Sequence, residues 1–375
     1  MTGCWKVRHP LPDCSARKHC DVTTASSTSA PARCIYGSER SNSPFVIPSE
    51  VEESLDFLLV NHITQAFVLA AGLGTRLRPL TEEVPKPLIP IFQKPLVTFA
   101  LDHLINAGVN RFVVNTHRHP ELFQPFFARH EYAGFPVTLV HEPDLLETGG
   151  GIKNVEGILG KEPFIVYSGD ILTDIALEPL IAEHFRAGNE VTLGLRRNTG
   201  LGAGVVMRAG RVVEISKEYN PKENFDYANI SIWNQEIFNR IPARQKISFI
   251  PVLIDWIQNG GRIGGVALDD GNWFNIGSRK EYLDVHRAIL NKDWRPAYLK
   301  TRDWAEPVAK SAYVDPTAQL HGCTVVGPDC RIGAEAILED TILWPDAEIA
   351  SQSHLEACIV RSRKKVTGLH RNIDI

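Results

Sequence analysis

An apolar run, Ala66-Phe67-Val68-Leu69-Ala70-Ala71, leads straight into Gly72-Leu73-Gly74-Thr75-Arg76-Leu77-Arg78-Pro79. No other feature constrains the fold of this chain as strongly. Six consecutive apolar residues without polar alternation suit a strand buried on both faces, the condition of a parallel sheet covered by helices. The glycines then fall where the backbone leaves the sheet, and they let N–H groups approach a polyphosphate closely. Arg76 can fork onto phosphate oxygens, and Lys86, in Pro85-Lys86-Pro87-Leu88, adds a second cation. Two commoner nucleotide loops are excluded on residue identity. A dinucleotide loop needs a third glycine where Leu77 stands, and a Walker loop needs Gly-Lys followed by Ser or Thr.

From Gln65 onward apolar strands alternate with amphipathic helices, the pattern of an α/β fold with a largely parallel sheet. Val97, Ala100, Leu101, Leu104 and Ile105 line one helical face that Gly108 stops, and further helices are expected over 150–159, 177–187, 249–259 and 278–291. Residues 1–62 differ: Ser, Thr and Pro are frequent, apolar periodicity is missing, and the stretch is expected to be a disordered extension or a gene-model artefact. A net charge of -4 gives no general attraction to nucleic acid, so the cations that matter should be local to the glycine loop. No run approaches the roughly 18 apolar residues of a membrane span. No membrane partner is expected, and the location read from this is cytoplasmic. The seven cysteines form no CxxC pair, which leaves a structural zinc site without support.

The C-terminal part keeps a six-residue beat. Val314, Leu320, Val326, Ile332, Leu338 and Trp344 recur at every sixth position, with Ala318, Thr324, Cys330 and Ala336 four residues after the first four; the phase then slips and resumes at Ile349 and Leu355. Aliphatic-then-small hexads resemble those of the left-handed parallel β-helix, where the aliphatic side chain fills the prism and the small one a corner. Cys330 and Cys358 then read as small packing residues. The resulting layout is a catalytic domain over 65–293, a connector over 294–312, a short β-helix over 313–362 and a tail over 363–375. The open end of so short a prism has to be covered by the catalytic domain or by a second copy, so a homo-oligomer through the β-helix is one expectation.

The stretch from Leu69 to Pro79, followed by Pro85-Lys86-Pro87-Leu88-Ile89-Pro90 and Lys94-Pro95-Leu96, resembles the opening of the sugar-1-phosphate nucleotidyltransferases. The resemblance extends to about residue 293. It implies a Rossmann-like, mostly parallel nucleotidyltransferase domain whose substrates are an NTP and a sugar 1-phosphate. It also implies nucleotide contacts from Leu69, Ala71, Gly72, Gly74, Thr75, Arg76, Thr148 and Gly149, and catalytic roles for Arg76, Lys86 and Asp170. Asp170 ends the apolar strand Phe164-Ile165-Val166-Tyr167-Ser168-Gly169, where ligands gather in open α/β sheets, and in the family the Asp of this Gly-Asp pair binds Mg²⁺. Asn275, in Trp273-Phe274-Asn275-Ile276-Gly277, stands where the family has a second metal ligand. Glu147, Lys217 and Asn229 match sugar or sugar-phosphate contacts, although Lys217 lacks the usual following proline and Ser231 replaces a usual glycine.

The chemistry needs no general base. A sugar phosphate has a second pKa of about 6 and is mostly dianionic at neutral pH. No catalytic His or Ser-His-Asp arrangement is therefore expected, only positioning and charge stabilisation. Base identity stays open: a β-helix after the catalytic domain resembles mannose-1-phosphate guanylyltransferases, whereas Glu147-Thr148 resembles uridylyltransferases acting on a cell-wall amino sugar. A non-catalytic regulatory homologue and a β-helix acyltransferase are the rival classes. Intact Arg76, Lys86 and Asp170 speak against the first and the shortness of the β-helix against the second.

Overall fold

The structure, a computed structural model, describes residues 62–197, 204–216 and 224–375. The expectation of a disordered N-terminal stretch falls, except for His62, outside the described residues. The apolar run forms strand β1 (Gln65–Leu69). After it come helix α1 (Leu96–Asn106), strands β2 (Arg111–Thr116) and β3 (Phe135–His141), helix α2 (Glu147–Asn154) and strand β4 (Phe164–Ser168). β1 pairs in parallel with β2 on one side and β4 on the other, and β3 extends the parallel block beyond β2. Ala66 and Val68 turn to one face with Phe112, Val114 and Ile165, while Phe67 turns to the other with Val113, Phe164 and Val166. Both faces are buried, which is why the strand reads as an unbroken apolar run rather than an alternating one.

Beyond β4 the sheet is mixed. Strand β5 (Val191–Arg197) and strand β6 (Phe225–Trp233) are followed by helix α3 (Phe249–Gln258) and strand β7 (Ile263–Ala267). β6 runs antiparallel to both β4 and β5, and β7 pairs in parallel with β5. Helix α4 (Arg279–Leu290) closes the α/β domain, its N-cap Ser278 accepting the Glu281 N–H.

α2 departs from the helix expected over 150–159, beginning and ending earlier. The segment at 245–249 crosses over its first turn. A Cβ on Gly149 would come within 2.9 Å of the Ile247 carbonyl, and one on Gly150 would collide with that of Gln245. The glycines are a packing requirement, and the Gly149 and Gly150 N–H groups both donate to Ile247 O, at 2.8 and 3.0 Å.

Two histidines are built into the core as neutral rings. His286 on α4 accepts the Phe92 N–H at Nε2 (3.2 Å) and donates from Nδ1 to Tyr282 O (2.7 Å). His103 on α1 lies between Tyr167 Oη (3.0 Å) and Ile175 O (2.9 Å). Burial pushes each imidazole down to about 4. A base whose folded pKa is depressed gives stability that is complete above the unfolded value near 6.5 and is lost as pH falls toward 4. The unfolding free energy is therefore expected to fall steadily between pH 6.5 and pH 4.5, and the urea midpoint with it, by an amount on the order of 3 kcal/mol for each histidine at the limit. A flat midpoint across that window would show that neither ring resists protonation.

The C-terminal region is a parallel β-helix of three stacked faces. One face pairs Tyr313–Val314, Arg331–Ile332, Glu348–Ile349 and Lys365–Val366; a second pairs Gln319–His321, Ile337–Glu339, His354–Glu356 and Leu369–Arg371; the third pairs Val325–Val326, Ile342–Leu343 and Ile359–Val360. Val326, Ile332, Leu338, Ile349 and Leu355 fill the prism, as the hexad implies. Trp344 is a correction. Leu343, one residue earlier, stacks on Val326 inside the prism, so the phase slips between Leu338 and Leu343. The indole of Trp344 instead packs outward on the α/β domain and donates to Tyr282 Oη at 3.0 Å, which in turn donates to Pro90 O. Cys330 and Cys358 are buried in the prism, and burial raises the Cys330 thiol to about 12, as befits a packing residue.

The third face covers the α/β domain of the same chain. Val325, Ile342, Trp344 and Ile359 share a core with Leu77, Ile89, Tyr282, Val285 and Ile289. Arg361 reaches Glu83 (3.1 Å) and the Pro79 carbonyl (3.3 Å), Lys364 also reaches Glu83 (2.9 Å), and Arg279 holds Asp374 (2.6 Å). Burying each large apolar side chain contributes about 1.5–3 kcal/mol, so the docked face is on the order of a whole domain's stability. Truncation after Ala312 is expected to lower the melting temperature by well over 10 °C or leave the product aggregated. Circular dichroism and light scattering check this, and a truncated chain melting like the parent would overturn it.

Candidate functional site

The loop after β1 is folded over Lys86. Gly74 has φ 60°, and a Cβ there would meet Lys86 Cβ and Thr81 Cγ2, each at 3.0 Å, so the turn and the lysine stem are packed as one unit. Thr81 Oγ1 donates to Gly74 O at 2.8 Å and pins the turn. The Lys86 ammonium, 8% exposed, lies 2.6 Å from Asp170 Oδ2, whose side chain is 35% exposed. Two residues 84 positions apart are thus joined at the carboxyl ends of neighbouring parallel strands.

A cavity of about 380 Å³ opens here, lined by Leu69, Ala71, Gly72, Lys86, Glu147, Thr148 and Asp170 among the expected residues. Four polar residues that the sequence reading did not single out also line it: Asn115, Glu142, Ser168 and Ser248. Asn115 and Glu142 form a buried tie across the site. Asn115 Oδ1 accepts the Ala70 N–H (2.6 Å), its amide donates to Glu142 Oε1 (2.8 Å), and Glu142 Oε2 accepts the Leu146 N–H (3.1 Å). The start of the glycine loop and the start of α2 are therefore held by one carboxamide and one carboxylate. A usable signal did exist: Asn115 and Ser168 sit near the ends of apolar strands, and Glu142 directly follows one, the places where open α/β sheets collect ligands.

Among the described residues, Gly74, Thr75, Arg76, Gly149, Asn229 and Asn275 do not line the cavity. Arg76 is exposed and lies over Gly277, where a Cβ would come within 2.7 Å of its guanidinium. Asn275 is the ladder partner of Ile171, and the next residue, Ile276, donates its N–H to Asp170 O at 3.3 Å, so backbone pairing brings the Trp273–Asn275 strand beside Asp170. Asn229 sits in a bulge of β6 at φ 63°, a left-handed conformation that Asn tolerates, and Ser231 Oγ accepts the Trp233 indole N–H. The Gly149 N–H, expected to face the nucleotide, is held by Ile247 O, and Thr148 Oγ1 accepts the Phe249 N–H. Glu147 faces Lys246 at 4.0 Å. Gly74 and Thr75 belong to the turn itself, and Lys217 lies outside the described residues. Among the described residues no group of three or more His, Cys, Asp or Glu gathers as a metal cluster, and no helix is long and apolar enough to cross a membrane.

The arrangement can bind an extended polyanion, with cations at two points along it and the Asp170 carboxylate between the loop and the Trp273–Asn275 strand. Comparison with known proteins agrees. The profile of the nucleotidyl transferase family matches residues 65–292. A mannose-1-phosphate guanylyltransferase of Mycobacterium tuberculosis is 29% identical over 308 residues, 80% of this chain and 84% of that protein. A UTP–glucose-1-phosphate uridylyltransferase of Synechocystis is 22% identical over 351 residues, 83% of this chain and 90% of that one. Among solved structures, a UDP-glucose pyrophosphorylase complexed with UDP-glucose matches with a TM-score of 0.54 at 20% identity, over 61% of this chain and 99% of the other, a likeness of fold.

Proposed function

The chain belongs to the nucleotidyl transferase family, and on that premise we propose that it joins an NTP to a sugar 1-phosphate, giving an NDP-sugar and pyrophosphate, with GTP and mannose 1-phosphate as the preferred pair. The observation that carries the reading is the Lys86–Asp170 pair, set in the wall of the cavity that the glycine loop opens. The choice of base and sugar rests on the several mannose-1-phosphate guanylyltransferases among the relatives, from bacterial, fungal and animal sources.

Phosphate oxygens of the NTP lie along Gly72–Arg76, where backbone N–H groups and the Arg76 guanidinium take up their charge. The sugar phosphate dianion attacks the α-phosphorus in line, a P–O bond forms, and the bond to pyrophosphate breaks with its electron pair leaving on the departing oxygen. Lys86 neutralises charge on the transferring group. Glu147, Lys217 and Asn229 are assigned to the sugar phosphate. Asp170 and Asn275 fit Mg²⁺, since both supply hard oxygen donors and one carboxylate with phosphate oxygens commonly suffices for that ion. Bound there, the ion would supply positive charge that offsets the charge of the phosphates. A cytoplasmic location and self-association through the undocked β-helix faces complete the proposal.

The test is pyrophosphate release across a matrix of four NTPs and a dozen sugar 1-phosphates. Turnover concentrated on GTP with mannose 1-phosphate is expected. Preference for UTP with an amino-sugar 1-phosphate would assign the uridylyl reading that Glu147-Thr148 favours, and silence throughout would sink the enzymatic reading.

A further inference from the structure

The segment that joins α4 to the β-helix encloses a second cavity, of about 630 Å³, larger than the one at the glycine loop. Its wall is aromatic and aliphatic: Ile289 and Leu290 from the end of α4, with Trp294 and Trp304. Its rim is cationic. Lys292, Arg295, Lys300 and Arg302 all line it and are all exposed, against a single lining carboxylate, Glu306.

None of these four cations makes an ion pair or hydrogen bond with another described residue. Neighbouring surface cations behave differently: Lys280 pairs with Asp284, Lys310 with Asp303 and Lys364 with Glu83. On a chain with a net charge of -4, four unpaired cations around one concavity form a local field that repels itself and attracts anions. Two of them are arginines, whose planar forks match phosphate oxygens in pairs. Trp294 is fully buried behind the wall, but the half-buried Trp304 indole beneath such a rim suits a ring, and the volume suits a small metabolite. The rim lies apart from the catalytic cavity, with which it shares no lining residue.

We propose that this connector cavity is a second binding site, for a phosphate-bearing ring compound, held by Arg295, Lys300 and Arg302 over the Trp304 indole. Nucleotides and sugar phosphates share this chemistry, and both are among the probes. Calorimetry on the full chain uses GDP, mannose 1-phosphate and inorganic pyrophosphate, each against the parent, the triple variant Arg295→Ala/Lys300→Ala/Arg302→Ala, and Asp170→Asn. The expected result is a binding event kept in Asp170→Asn, weakened at least 10-fold in the triple variant, and weakened by added salt. Tighter binding of GDP there assigns the site to nucleotides, and tighter binding of mannose 1-phosphate assigns it to sugar phosphates. All three positions are exposed, so the triple variant should melt with the parent; Lys292→Glu, expected to weaken the same event, is the second variant. Identical titrations of parent, triple variant and Lys292→Glu with every probe overturn the proposal. The readout is binding, so it stands or falls independently of whether the chain turns over any NTP.

Discussion

Lys86→Ala is expected to lower kcat/KM by about 10²-fold or more, the scale of a lost electrostatic contact to a developing charge. The fold should survive. The carboxylate left behind, Asp170, is 35% exposed and can be hydrated, so no fully buried charge is stranded. The same substitution should move the Mg²⁺ requirement the other way. The ammonium sits 2.6 Å from Asp170 Oδ2 and competes with any cation for that carboxylate. Removing it should tighten apparent Mg²⁺ binding severalfold while turnover falls. Initial rates against Mg²⁺ concentration separate the two effects, and near-parental kcat/KM in Lys86→Ala would remove the lysine from the mechanism.

Asp170→Asn is expected to abolish Mg²⁺-dependent turnover, because it removes the only carboxylate assigned to the ion. It also leaves the Lys86 ammonium, 8% exposed, without its counter-charge. A stability loss of about 1–2 kcal/mol should accompany the kinetic loss, below the figure for a fully buried pair because the carboxylate is partly solvated. The double variant Lys86→Ala/Asp170→Asn should regain much of that stability and none of the activity. A single variant that keeps both turnover and metal affinity would show that Asp170 does not hold the ion.

Much of this site was legible because its residues lie close along the chain or end an apolar strand. The glycine loop, Lys86 and Asp170 follow from residue type, spacing and strand polarity. The Asn115–Glu142 tie was not read, because its meaning depends on which carbonyls and amides the fold leaves uncovered. The partner of the Gly149 N–H was not legible for a related reason: a glycine in the first turn of a helix looks the same in sequence whether its N–H awaits a ligand or meets the chain at Ile247. Lys94, within the stretch that carries the resemblance, is engaged by Asp102 at 2.8 Å and by the Tyr132 hydroxyl, a structural role that no local pattern reveals. In the β-helix the repeat was legible and its phase was not. A one-residue deletion between Leu338 and Leu343 keeps the six-residue beat for the eye while exchanging the inward and outward rows at Trp344.

The clamp of Arg361 and Lys364 on Pro79 and Glu83 bears on how the protein is made. The loop with Arg76 and Lys86 leaves the ribosome early, and the residues that brace its far side are synthesised some 280 positions later, at separations of 281 and 282. During that interval a nascent chain holds a phosphate loop with no brace and an apolar patch around Leu77 and Ile89 with no cover. Chaperone demand should therefore peak while the β-helix is still in the exit tunnel, and translation stalled within 313–360 should yield inactive, protease-sensitive chains rather than a working enzyme without its appendage.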